Sequence, residues 1–181
     1  PDQGNMDLLL AAASPAARDR WLRPLIDAQI TSAFCMTEPA PGAGADPSNL
    51  RTTARREGDG WVLEGHKWYS TGGSRAAFLI VMARTSDDPK RGATMFVVDR
   101  STPGVEVVRD VPVMAPDVLD HVETEIRFEG VRLGEDAVLG QVGEGFRLAG
   151  HSLGPGRPWG VVLEDEADRV DPAGPAGGAV G

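Results

Sequence analysis

The chain is predicted to be mainly β: a small antiparallel β-barrel or sandwich, with a helical segment before it and a short, truncated helix after it. Three observations predict this. Gly 23 and Pro 14 in 181 residues make the chain rich in tight turns. Between those turns lie short runs that are either alternating or continuously apolar, at the spacing of an all-β domain. Helical periodicity is confined to the two ends. The 41% apolar fraction suffices for a core.

Residues 6–30 read as helix. Asn5 is a candidate cap for 6–13, and Ser14-Pro15 is a second start signal. Trp21, Leu22, Leu25 and Ile26 form one apolar face, and Pro24 is expected to bend or restart the helix. From Thr31 the pattern turns to strands. Glu57-Gly58-Asp59-Gly60 separates residues 50–56 from 61–64, a hairpin signal. Residues 77–83 form a continuous apolar run, read as a strand buried on both faces. Strands over 94–99 and 105–109 flank the turn Thr102-Pro103-Gly104. Residues 122–128 alternate, with Glu123, Glu125 and Arg127 on the wet side. Short strands over 130–133 and 138–140 close the β region. Gly143-Glu144-Gly145 opens a helix over 146–153. Residues 158–181 are acidic and then almost wholly Pro, Ala and Gly, a composition that predicts disorder.

A net charge of −9 argues against nucleic acid and anionic membranes as partners. The single cysteine, Cys35, excludes an intramolecular disulfide and a thiolate zinc cluster. His66, His121 and His151 lack metal-ligand spacing, so no metal site is expected. No apolar run approaches the roughly 20 residues that span a bilayer. Together these lead to the expectation of a cytoplasmic protein.

Two stretches could carry chemistry. Phe34-Cys35-Met36-Thr37-Glu38-Pro39 ends a strand, and Gly42 and Gly44 follow, able to present bare amides to a phosphate or a carbonyl oxygen. After about thirty residues come Lys67-Trp68-Tyr69-Ser70-Thr71-Gly72-Gly73, two aromatics followed by two hydroxyls and a glycine pair. An aromatic face with hydroxyls at its edge suits a flat, polar-edged ring such as a flavin. Each stretch also has a plainer reading, as a surface turn or as core aromatics before a turn. Glu38, Glu123 and Glu125 are read as solvated charges.

Taken together, in this order and spacing, the two stretches resemble the middle domain of acyl-CoA dehydrogenases. Arg51-Thr52-Thr53-Ala54, Gly58-Asp59-Gly60-Trp61, Pro103-Gly104-Val105, Phe128-Glu129-Gly130-Val131 and Leu153-Gly154-Pro155-Gly156-Arg157 extend the resemblance over roughly residues 1–157. It implies four parts. Residues 1–30 would end an N-terminal helical domain, 31–141 would form the middle β domain, 142–157 would begin a C-terminal helical domain, and 158–181 would be a divergent tail.

It also implies FAD as cofactor and an acyl-CoA thioester as substrate, dehydrogenated across its α,β bond with hydride transfer to flavin N5. Phe34 and Met36 would then lie along the flavin. Thr37 would bond its pyrimidine edge, Tyr69 would stand against the ring, and Ser70 and Thr71 would approach it, Thr71 near N5. Ala45 and Asp46 would lie toward the thioester's path, with Ala45 where many members have a Ser. Arg157 would lie near the substrate end. The family's catalytic carboxylate lies beyond this chain, so no catalytic residue is assigned and the chain alone is expected to be inactive. Homo-oligomerisation, or association with an intact paralogue, and an electron-transfer partner are further expectations. The alternative is a β domain retained as a binding or assembly module without catalysis.

Overall fold

A computed structural model describes residues 2–88, 91–113 and 122–152. The N-terminal helices are α1 (Asp2–Ala12), α2 (Pro15–Ala17) and α3 (Arg23–Ile26), with a π-type turn over Arg18–Leu22 between the last two. The strands are β1 (Ser32–Cys35), β2 (Thr53–Glu57), β3 (Gly60–Thr71), β4 (Phe78–Arg84), β5 (Ala93–Asp99), β6 (Val105–Val111), β7 (Glu123–Gly134) and β8 (Val138–Leu139), followed by α4 (Gly145–Ser152). The chain is mainly β, as its turn density and strand spacing predict.

Local chemistry accounts for the start and stop of several elements. Ser14 caps α2, its hydroxyl accepting from Ala17 N, with Pro15 in the first turn. Pro24 lies in the first turn of α3, where its missing N–H costs least. Asn5 does not cap. It sits inside α1, buried, and its side-chain amide donates to Ser32 Oγ at 2.8 Å, tying the helix to β1. The hairpin β2–β3 turns through Gly58 and Asp59, with Glu57 opposite Gly60 and Gly58 at φ 59°.

All eight strands belong to one sheet, in the order β6-β7-β3-β2-β4-β5-β8, with β1 joined parallel to β4. The sheet does not close into a barrel. It does curl: β3 and β5 are separated by two strands in that order, yet the Trp61 and Phe96 rings meet at 5.5 Å. The curl encloses one apolar cluster, built from Ala33, Cys35, Leu63, Val81, Phe96, Ile126 and Phe128 among others. A second cluster lies on the opposite face, where Leu8, Leu9, Leu22, Leu25 and Leu148 from the helices cover Phe78, Ile80, Met82 and Met95.

Strand β4 therefore sends alternate residues into two cores, which is why its sequence is continuously apolar. Strand β7 runs unbroken through residues 130–133, read separately in the sequence; Gly130, at φ 62°, absorbs the bend.

Candidate functional site

The ends of β1 and β3 lie side by side. Just past β1, Thr37 O accepts from Trp68 N at 3.1 Å, and Met36 O accepts from Lys67 Nζ at 2.8 Å. This brings Phe34, Met36 and Thr37, all half-buried, next to Tyr69, Ser70 and Thr71.

The end of β3 is not a regular strand. Lys67 pairs with Ile126 and Ser70 with Thr124, so three steps on β3 match two on β7. The extra residue forms a bulge, and Tyr69 takes it up at φ 49°, in the left-handed region that a bulky residue seldom adopts. The bulge turns Tyr69 outward. The residue is 46% exposed, and its ring packs edge-on against Trp68 at 4.8 Å. Without the bulge, alternation would put Tyr69 on the same face as the buried Lys67 and Ser70 on the other; with it, Tyr69 is exposed and Ser70 is buried.

The hydroxyls differ in their use. Thr71 Oγ1 donates to the Glu123 carboxylate, at 2.9 and 3.2 Å, directly across the ladder. Ser70 Oγ is buried, has no nitrogen or oxygen partner among the described residues and turns to the Cys35 thiol. Burial pushes that thiol up to about 11, against the smaller pull of Ser70 and of the Lys67 charge, so Cys35 is a packed, unreactive group.

The carboxylates correct the sequence reading, which took them as solvated. Glu38 is only 1% exposed and pairs with the fully buried Lys67 at 2.9 Å. It also accepts from the backbone amides of Ala43, Arg51 and Thr52 at 3.1, 2.8 and 2.8 Å. Burial raises its pKa, but the Lys67 charge and these hydrogen bonds outweigh that and bring it down to about 2. Desolvation is the larger effect on Lys67, which falls to about 8.

Glu125 is buried too. Arg109 donates to it at 2.7 Å, and His66, within β3, meets it at 2.8 Å. Hydrogen bonding from Arg109 leads the forces that hold Glu125 below the usual carboxylate range. A lysine of the same parity as Trp61 and Leu63 in β3 was the signal for the Glu38 pair, since an inward lysine needs a carboxylate.

Ala45 and Asp46 are exposed, one and two residues past Gly44, whose carbonyl accepts from Glu38 N at 3.0 Å. Asp46 Oδ1 caps the short turn Pro47–Asn49, accepting from Ser48 N and Oγ at 2.9 and 2.7 Å. Arg157, His121 and the tail 158–181 lie outside the described residues, as do the side chains of 151 and 152.

The residues present fit a flavin ring: an outward aromatic on a bulge, apolar Phe34 and Met36 beside it, and Thr37 and Thr71 at the edge. None of Phe34, Met36, Thr37, Tyr69, Ser70 and Thr71 is cationic, so a pyrophosphate would need donors from elsewhere.

Comparison with known proteins bears on the family and the fold. The family model for the acyl-CoA dehydrogenase middle domain matches residues 33–131, more than half of the chain. The probable acyl-CoA dehydrogenase FadE2 of Mycobacterium tuberculosis is 42% identical over 161 residues, covering 87% of this chain. Acyl-CoA dehydrogenase family member 11 of Mus musculus is 37% identical over 164 residues, again covering 87%.

Among solved structures, acyl-CoA dehydrogenase from Geobacillus kaustophilus superposes with a TM-score of 0.73 at 29% identity, over 81% of this chain and 38% of that one. The glutaryl-coenzyme A dehydrogenase–glutaryl-CoA complex does so with a TM-score of 0.77 at 27% identity, over 83% and 38%. The chain spans 39% of the length of FadE2 and 21% of the mouse protein. With more than half of its length matched by that family model and relatives up to 42% identical over 87% of it, the chain belongs to the acyl-CoA dehydrogenase family, with the middle domain at residues 33–131.

Proposed function

We propose that this chain supplies the β-domain side of a site for FAD and an acyl-CoA thioester, used for α,β-dehydrogenation. The observation that carries the reading is the junction of the β1 and β3 ends, where the bulge turns Tyr69 outward beside Thr37 and Thr71. Bound FAD supplies the hydride acceptor that amino-acid side chains lack.

The chain's own residues bind and orient. Tyr69, Phe34 and Met36 offer apolar surface to a flat ring and exclude water from it. Thr37 and Thr71 set its edge by hydrogen bonding, and Ser70 supports them from the buried side. Ala45 and Asp46, on the exposed turn after Gly44, are read as facing the thioester. The lone pairs of Glu38 and Glu125 are committed to their partners. Glu123 accepts from Thr71 Oγ1, and none of the three is assigned as the acceptor of the substrate α-proton. Association with a second copy or a longer relative, and an electron-transfer partner, belong to the same reading.

The support is partly from relatives: one structural neighbour is described as the FAD complex of PigA, with a TM-score of 0.75 at 26% identity, over 82% of this chain and 38% of that one. The test is a titration of the 181-residue chain with FAD, followed by quenching of flavin fluorescence. Saturable binding, weakened several-fold by Thr71→Ala and by Tyr69→Ala, is expected. Saturable binding indifferent to both substitutions would refute the placement.

A further inference from the structure

The Lys67–Glu38 pair is more than the fold requires. Replacing a buried ion pair with apolar groups of similar volume is often neutral or stabilising, so burial alone does not explain its presence. Its connections are specific. Lys67 Nζ donates to Met36 O at 2.8 Å and to Glu38 Oε1 at 2.9 Å. Glu38 Oε1 also takes Thr52 N, and Oε2 takes Ala43 N and Arg51 N. One carboxylate thus gathers both ends of the loop 39–52, and one ammonium fixes the carbonyl of Met36. Gly42 is held against this hub, since a Cβ there would stand 2.6 Å from Glu38 Cβ and 2.7 Å from Oε2. Lys67 lies immediately before the bulge that turns Tyr69 outward.

We infer that Lys67 and Glu38 are positioning residues for the flavin edge: they set the separation between Met36–Thr37 on one side and Tyr69–Thr71 on the other. The inference rests on the flavin reading above. With Met36 O turned to Lys67 and Thr37 O to Trp68 N, both carbonyls of that segment face β3. The side presented to a ligand keeps the Thr37 hydroxyl and its neighbouring backbone at fixed height. A neutral pair of the same shape would fill the space without holding the Met36 carbonyl by charge.

The test compares the wild-type chain with the double variant Lys67→Met/Glu38→Gln, which removes both charges together. Urea unfolding reports the fold, and FAD fluorescence quenching with flavin absorption reports the site. The expected result is a cooperative unfolding transition with FAD binding at least tenfold weaker and altered flavin absorption bands. A folded double variant that binds FAD within twofold of wild type would overturn the inference and leave the flavin reading intact. A wild-type chain that shows no saturable FAD binding would overturn both.

A second readout needs no variant: wild-type FAD affinity should fall as the pH rises through about 8, where the Lys67 ammonium loses its proton. The titratable groups coupled to Lys67 are Glu38 and Cys35, which change near 2 and 11, and its partner across on β7 is Ile126. A flat affinity across the pH range in which the Lys67 Nζ chemical shift titrates would overturn the inference even if the double variant failed to fold.

Discussion

Lys67 places an ammonium among Met36, Glu38 and Ile126, fully shielded from solvent. Such a charge is tolerated because Glu38 answers it and three amides complete the carboxylate's hydrogen bonds. Removing one member strands the other. Lys67→Met alone is expected to cost about 3–5 kcal/mol, read as a lowered urea midpoint.

Glu38 also gives the stability a pH dependence. Its folded pKa of about 2 lies below the ordinary 4.5, so the unfolded chain takes up the proton first as the pH falls. The contribution is complete above pH 4.5 and is lost as the pH drops toward 2. Unfolding midpoints at pH 7, 4.5 and 3 should fall less steeply for Glu38→Gln than for wild type. Tyr69 gives the opposite contrast. Its left-handed backbone costs about 1–2 kcal/mol, while its edge contact with Trp68 returns about 0.5–1.5 kcal/mol. Tyr69→Gly should therefore change stability by less than about 1 kcal/mol yet weaken FAD binding clearly; a loss of both together would mean that Tyr69 is a core residue.

At the scale of elements, strand β3 organises the molecule, because its two irregularities lie on either side of Lys67. The first, around Gly65, brings β3 against Thr52. A Cβ at Gly65 would stand 2.4 Å from Thr52 Oγ1 and 2.6 Å from Thr52 Cβ, and Thr52 is itself anchored by Glu38. Gly65→Ala should cost about 1–3 kcal/mol through this overlap, measurable as a lower thermal midpoint. An unchanged midpoint would mean that the β3–Thr52 approach is looser than described.

The elements themselves were largely legible from residues. Ser14-Pro15 announced α2, Gly58-Asp59 announced the hairpin, and the unbroken apolar run 77–83 announced a strand with a core on each face. The bulge was not legible. Its cause is a register mismatch with β7, a strand over fifty residues away, and nothing within Lys67–Thr71 records it. Glu38 was misread for the same reason, since its partner is distant in sequence and only the inward parity of Lys67 hinted at it.

For the molecule as a whole, the sequence predicts a small barrel or sandwich, and the fold is of that mainly β kind: one open, curled sheet with a core on each face. Short strands at even spacing specify curl, and the curl encloses the cluster around Phe96 and Phe128. Closure needs a pairing between first and last strands that local sequence does not encode. Helices α1, α3 and α4 cover the other face, leaving Leu10, Ile26 and Val142 exposed at 54%, 56% and 42%.

The central claim is that the β1 and β3 ends form one side of a flavin site. The most direct measurement is amide chemical-shift mapping of the isotope-labelled chain during titration with FAD. Saturable shifts concentrated at Met36, Thr37, Tyr69, Ser70 and Thr71 are the predicted result. Saturable shifts centred elsewhere, for example on the groove lined by Leu50, Arg51, Arg84 and Phe146, with those five amides unmoved, would contradict it.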